Sequence, residues 1–291
     1  MTPAALALVF LAALLHALWN LAAKRARASG VAFVWTCSTL SVILWAPPVL
    51  WFEGDRLSAL PISIWLLAAS SAVLHVLYFI ALRRAYRVAD LSVVYPVARG
   101  TGPLLTAIIA VLAFNEPFGA LAALGLLLIL SGGLTIGGGL GALARRRDPA
   151  VRAGLAWGAL TGVMIAAYTI NDGFAVRYQG APAMLFDWLG IVLRMLLLTP
   201  FALGQRASIA QALRVDWRPI LVVALLSPAA YILVLYAMTM APVSLVAPAR
   251  ELSMLFAAFL GVRFLGEGDW RRRMTGATLI AIGVGALAWT D

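Results

Sequence analysis

Two arginines stand where an apolar chain has least use for charge. Arg99 sits in Tyr95-Pro96-Val97-Ala98-Arg99-Gly100-Thr101-Gly102-Pro103, inside the apolar run 91–114. Arg250 closes Ala247-Pro248-Ala249-Arg250 inside the run 243–265, and Glu251 follows it directly. A full charge is expensive in hydrocarbon, so each arginine should face a polar cavity or a partner. A guanidinium matches a planar carboxylate with two parallel hydrogen bonds, which suits recognition of an anionic substrate group. The competing chemistry is internal: Arg99 or Arg250 pairing with Glu251, Asp187 or Asp172. Glu251 is suited to bind a substrate ammonium or to carry a coupled proton. The prolines and glycines around the arginines predict a broken helix at both places. Irregular backbone at membrane depth is tolerated only under protein or water.

Aromatic and histidine side chains complete the candidate substrate-binding set. Tyr78, Tyr95, Tyr168, Trp188 and Tyr231 lie deep in their runs or beside the breaks. They would line a cavity for apolar or aromatic substrate groups; helix packing is the competing role. His16, Trp19 and Asn20 fall at i, i+3 and i+4 and so share a helix face, as do His75, Tyr78 and Phe79. Each histidine stands alone in an apolar run, which suits an interhelical contact better than a metal site. Asn20 reads as a packing contact. Asp187 and Arg194, two turns apart, share a face. With Asp172 and Arg177 they read as an outer ion-pair network or a gate.

These residues belong to a chain built for lipid. It has 291 residues, 63% of them hydrophobic and 12% charged, with a mean hydropathy of +0.97. Soluble domains carry roughly 45–50% apolar residues. The net charge of +10 falls in short clusters between apolar runs, which argues for membrane orientation and against nucleic acid. Cys37 is the single cysteine, so there is no internal disulfide and no cysteine-based metal site. No cofactor is implied. A span needs about 20 apolar residues, and ten runs qualify: 3–23, 31–52, 62–82, 91–114, 118–138, 153–176, 183–204, 219–239, 243–265 and 273–290. The first run reads as a membrane helix, not a cleaved signal. Of the 22 Lys and Arg residues, 17 fall in the odd-numbered loops and 2 in the even ones. Basic loops stay in the cytoplasm, so both termini are expected on the outer side of an inner (plasma) membrane.

The chain repeats itself. An offset of 151 relates Glu116 to Glu267, Arg99 to Arg250, Gly125 to Gly276, Gly132 to Gly283 and Asn20 to Asn171. Upstream of the arginines the offset is 152, relating Ser92 to Ser244 and Pro96 to Pro248. Five spans per half, an odd number, require the second half to insert upside down. The expected fold is therefore all-α, with ten transmembrane helices in a 5+5 inverted repeat around a central cavity. Residues 1–138 form the first unit, 139–152 a cytoplasmic linker and 153–291 the second unit. The linker holds Gly137-Gly138-Gly139 at its border and Arg145-Arg146-Arg147 within it. Gly125, Gly132, Gly133, Gly276, Gly283 and Gly285 should let the fifth and tenth spans pack closely, on each other or on a second protomer. Trp51, Trp65, Trp217, Trp270 and Trp289 lie near span ends as interfacial anchors.

The ten spans, the five-plus-five repeat, His16-Ala17-Leu18-Trp19-Asn20 in the first span and a Glu after the fourth and ninth spans resemble the drug/metabolite transporter superfamily, in particular its EamA-type exporters. That resemblance covers the whole chain. It implies export of small metabolites, often amino acids, through a cavity between the halves. Many members have a small or hydroxylated residue where Arg99 and Arg250 stand.

The expected function is secondary-active export of amino acids, aromatic or apolar ones included, or of related metabolites, by alternating access. Export of cationic, drug-like compounds and exchange of anionic phosphorylated metabolites are the alternatives. The glycine-rich stretches lack the Gly-Lys-Ser/Thr ending of a phosphate-binding loop, so ATP is not the driver. An intramembrane enzyme would need clustered His, Asp or Glu, or an activated nucleophile, at one membrane face; the sequence offers neither. The expected partners are a small-molecule substrate and the lipid bilayer, for a monomer with a homodimer as the alternative.

Overall fold

The computed structural model describes residues 1–28, 30–138, 148–265 and 269–290. Glu267 and most of the linker, including Arg145, Arg146 and Arg147, lie outside the described residues. Among the described residues the regular structure is helical throughout. In chain order the helices are α1 (Pro3–Arg25), α2 (Gly30–Glu53), α3 (Ile62–Val88), α4 (Leu91–Phe114), α5 (Ala120–Gly137) and α6 (Pro149–Gly173). They continue with α7 (Ala183–Leu203), the short α8 (Arg206–Val215), α9 (Trp217–Met240), α10 (Val243–Ala249), α11 (Leu252–Leu265) and α12 (Trp270–Ala288). Helices are the expected solution, because each backbone N–H and C=O must be satisfied within its own segment in lipid.

Nine of the described helical stretches are long and apolar enough to cross a membrane. Helix α12 follows the same pattern with Arg271, Arg272 and Arg273 in its first turn. The largest extensions beyond the expected spans are in α3, which runs on to Val88, and α6, which begins at Pro149. Pro149 is pre-organised for a first helical turn, and Asp148 Oδ1 accepts the Ala150 N–H at 2.9 Å. Trp51 and Trp289 are 85% and 84% exposed at helix ends, where an amphipathic ring suits the lipid–water boundary.

The expected break at Arg99 is absent. Helix α4 is continuous through Pro96 and Pro103. Each proline removes one helical donor, which this helix accommodates. Gly102 serves packing instead: a Cβ there would sit 2.8 Å from Ile165 Cγ2 on α6. The second break is real. The helix ends at Ala249, and Arg250 and Glu251 form a turn before α11. There the ladder tightens, with Glu251 N–H donating to Pro248 C=O, Ser253 N–H to Arg250 C=O and Met254 N–H to Glu251 C=O.

The repeat mates α5 and α12 meet through a reciprocal glycine seam. A Cβ on Gly125 would lie 2.7 Å from the Gly283 carbonyl oxygen, and one on Gly283 would lie 2.6 Å from that of Gly125. Gly132 and Gly276 oppose each other in the same way at 2.5 and 2.6 Å. Rising numbers on α5 face falling numbers on α12, so the mates run antiparallel, as inverted copies must. Gly133 contacts Met254 instead, and Gly285 faces open space; neither belongs to the seam. Helices α4 and α6 pack in parallel through Gly154, Gly158 and Gly162, which face Val93, Val97 and Thr101 in turn. The chain ends meet: the Met1 ammonium donates to Ala288 C=O at 3.1 Å and to Thr290 C=O at 3.0 Å.

Candidate functional site

Two helix starts in this bundle are held by acids from distant segments. Helices α7 and α10 begin after Pro182 and Pro242, which offer no side-chain cap. Four N–H groups at such a start lack a partner within the helix. Glu116, at the end of α4, accepts the Val243 and Ser244 N–H groups at 2.8 and 2.7 Å. Tyr178 O–H donates to the same carboxylate at 2.8 Å, and Arg177 Nε lies 3.7 Å away. A π-helical turn at Phe174–Tyr178 delivers both residues. Glu53 holds the start of α7 in the same way, accepting Leu185 N–H at 2.7 Å and Tyr236 O–H at 3.0 Å. Asp216 accepts the Arg27 and Ala28 N–H groups just before α2, at 3.0 and 2.7 Å. These caps position α10, and therefore the Arg250 turn.

That turn faces α4. Arg99 Nε lies 3.1 Å from Glu251 Oε2, with side chains 15% and 2% exposed. The two atoms are not aligned as a hydrogen bond, so the attraction is ionic. Arg99 Nη2 donates to Ser253 Oγ at 3.1 Å, and its guanidinium carbon lies 5.9 Å from the Tyr95 ring centre. Arg250 is 5% exposed, and its Nε has no hydrogen-bond partner among the described residues. No carboxylate there lies within ion-pair distance of it. The pairing expected of Arg99 with Glu251 is therefore present, while Arg250 pairs with none of Glu251, Asp187 and Asp172. Two arginines against one glutamate leave the cluster with one uncompensated positive charge. His16 on α1 lies within electrostatic reach of both arginines.

An aromatic cluster adjoins this charge. His75 stacks on Tyr168 with ring centres 4.1 Å apart, and Tyr231 meets both rings edge-on. Tyr78 packs edge-on against Tyr168 at 5.9 Å. The structure thus brings together Arg99, Arg250, Glu251, Tyr95, Tyr78, Tyr168, His75 and Tyr231 from α3, α4, α6, α9 and the α10–α11 turn. Two candidates make other contacts. Trp19 meets the His16 ring edge-on with centres 4.8 Å apart and packs with Cys37, Ile220 and Val223. Trp188 donates Nε1–H to the Val42 carbonyl at 3.0 Å, tying α7 to α2.

Two further expectations are corrected. Asn20 donates to His16 C=O of its own helix at 2.7 Å and bridges no neighbour, because its side chain is exposed. Arg177 joins Glu116, not Asp172 and Asp187, because the π turn carries it toward α10. Asp187 and Arg194 share a face but form no ion pair within 4 Å. They instead line a small polar pocket with Asp172, Ser71 and His75.

The geometry defines a polytopic helical membrane protein with a charged, aromatic-flanked centre between two repeats. The EamA-like transporter family model matches residues 3–137 and 152–289. The chain belongs to the EamA-like transporter family. A solved crystal structure resembles it with a TM-score of 0.72 at 19% identity, covering 99% of this chain and 97% of the other. At that identity the likeness shows the fold alone. No curated protein sequence matches the chain.

Proposed function

We propose that this transporter exports amino acids, apolar and aromatic ones included, or closely related small metabolites bearing a carboxylate. The observation that carries the reading is the buried Arg250 guanidinium, with no carboxylate within 4 Å among the described residues, beside an ion-paired Arg99 and Glu251. A buried cation without a partner is costly, and a substrate carboxylate arriving there would remove that cost. The rings of Tyr78, Tyr168 and Tyr231 offer an apolar surface for the substrate's side chain. Transport would follow from rocking one repeat against the other around the central cluster. The 17-to-2 bias of basic residues supports cytoplasmic odd loops and outward termini in a plasma membrane. We take the monomer as the working unit, because the glycine seam is satisfied within one chain. Residues 1–138 and 153–291 would be the two moving units, joined through 139–152.

The test is counterflow in proteoliposomes with radiolabelled amino acids, organic cations and phosphorylated sugars side by side. Exchange of at least one amino acid is expected. Exchange confined to cations or to phosphorylated compounds would replace this reading with the corresponding alternative.

A further inference from the structure

The pocket beside the aromatic cluster carries charge that substrate recognition does not use. It lies between α3, α6 and α7 and is lined by Ser71, His75, Asp172, Asp187 and Arg194. Asp172 is 1% exposed and fully engaged: Tyr231 O–H donates to Oδ2 at 2.6 Å and Asn171 Nδ2 to Oδ1 at 2.9 Å. Asp187 is the opposite case. Its Oδ2 is buried without a hydrogen-bond partner, and so is Nε of Arg194. His75 Nδ1 lies 2.9 Å from the Ser71 carbonyl. A carbonyl only accepts, so Nδ1 carries the proton and Nε2 keeps its lone pair. The space among these groups is about the size of one water.

We propose that Asp187 is the proton-carrying group of this transporter, loaded through the pocket it shares with Asp172, His75 and Arg194. The step balances simply. A proton from water on one side adds to Asp187 Oδ2, turning the carboxylate into an acid, and the same proton leaves to water on the other side. Both Asp172 oxygens already accept hydrogen bonds, so Asp187 Oδ2 is the open proton-accepting position of the pocket. From α3, Ser71 and His75 face the pocket; from α7, Arg194 does; from α9, Tyr231 reaches it through Asp172. Glu53 of α2 faces the start of α7 but is occupied by the Leu185 N–H. Glu251, the other candidate for this role in the sequence, is held against Arg99 and is better suited to fixing that arginine.

The pocket is wired to the substrate cluster. His75 stacks on Tyr168, and Tyr231 touches both Tyr168 and Asp172. Protonating Asp187 removes a negative charge from the pocket and leaves Asp172 as the carboxylate that attracts Arg194 there. Any resulting shift of Tyr231 reaches the rings beside Arg250.

The inference rests on the transport reading, so its test has one arm that does not. Infrared difference spectra of the purified full-length protein, between about pH 5 and about pH 8, report the carbonyl stretch of a protonated carboxylic acid. A buried acid band is expected in the wild type. It should be lost in Asp187→Asn and retained in the charge-balanced double variant Arg99→Gln/Glu251→Gln, with both variants monodisperse by size exclusion. A wild-type spectrum without the band, or a band that survives Asp187→Asn, overturns the proposal. In proteoliposomes, Asp187→Asn should keep amino-acid counterflow and lose its stimulation by an imposed pH gradient. Stimulation by sodium in place of protons, or unchanged stimulation in Asp187→Asn, also overturns it. Absence of counterflow by every amino acid, with the infrared band present, would count against the substrate reading alone.

Discussion

The glycine seam between α5 and α12 allows one chemical change to be made with opposite expected signs. At Gly132, an added methyl would meet the Gly276 carbonyl oxygen at 2.5 Å, Ile280 Cγ1 at 2.7 Å and Ile280 N at 3.0 Å. Two of those three atoms are backbone, so no rotamer change relieves the clash. The helices must separate by roughly 1 Å to reach ordinary contact, and overpacking of this kind costs about 1–3 kcal/mol. Separation would also weaken the neighbouring Gly125–Gly283 contact, which favours the upper end of that range. At Gly285, on the same helix α12, nothing lies within 4 Å of the added methyl. Alanine there should instead gain up to about 1 kcal/mol of helix propensity. Reversible unfolding in mixed detergent micelles, followed by circular dichroism, measures both. Gly132→Ala should lower stability by about 1–3 kcal/mol, while Gly285→Ala should leave it unchanged or raise it. Equal destabilisation by the two substitutions, or none by Gly132→Ala, would refute the seam as the contact joining the repeats.

Two other predictions concern buried acids. Glu116→Gln removes the charge that accepts the Val243 and Ser244 N–H groups and attracts Arg177. A charge-assisted bond contributes about 1.5–3 kcal/mol, so a loss of that order is expected in thermal unfolding. Protease sensitivity should rise near the start of α10. Glu251→Gln strands Arg99 in the interior and should destabilise by about 3–5 kcal/mol. Adding Arg99→Gln should recover part of that loss in a double-mutant cycle, and simple additivity would show that the pair is not coupled.

The membrane helices were readable from the sequence because lipid imposes one rule on every span. The runs 31–52 and 183–204 could hardly be anything else, and α2 and α7 follow them closely. Identity at fixed offset, as in Gly132 and Gly283, pointed to the seam, but which glycines face each other is a three-dimensional fact. Gly133 and Gly285 look the same in sequence and lie on other faces. The Pro96–Pro103 segment misled because proline and glycine have two meanings in a membrane helix. They weaken the ladder, and they also let helices approach, as Gly102 does with α6. Only the Pro248 turn is an actual break.

The long-range caps were hidden for a different reason. Glu53, Glu116 and Asp216 bind backbone N–H groups, which leave no side-chain signature in the sequence. The available signal was negative: α7 and α10 start after Pro182 and Pro242 with no Ser, Thr, Asp or Asn to cap them. An uncapped helix start needs a partner for its N–H groups from elsewhere, and at α7 and α10 that partner is an acid. The polar pocket was missed in part because Asp172, Asp187 and Arg194 read as an outer network, while Ser71 and His75 come from a span more than 90 residues earlier.

Recognition of a carboxylate by Arg250 is the centre of the account, and it is tested most directly by paired substrates. Counterflow of a transported amino acid and of its carboxamide should be compared in wild-type protein and in Arg250→Ala. The wild type should exchange the acid in strong preference to the amide, and Arg250→Ala should erase that preference. A preference that survives Arg250→Ala intact, in a variant that still folds, would contradict it.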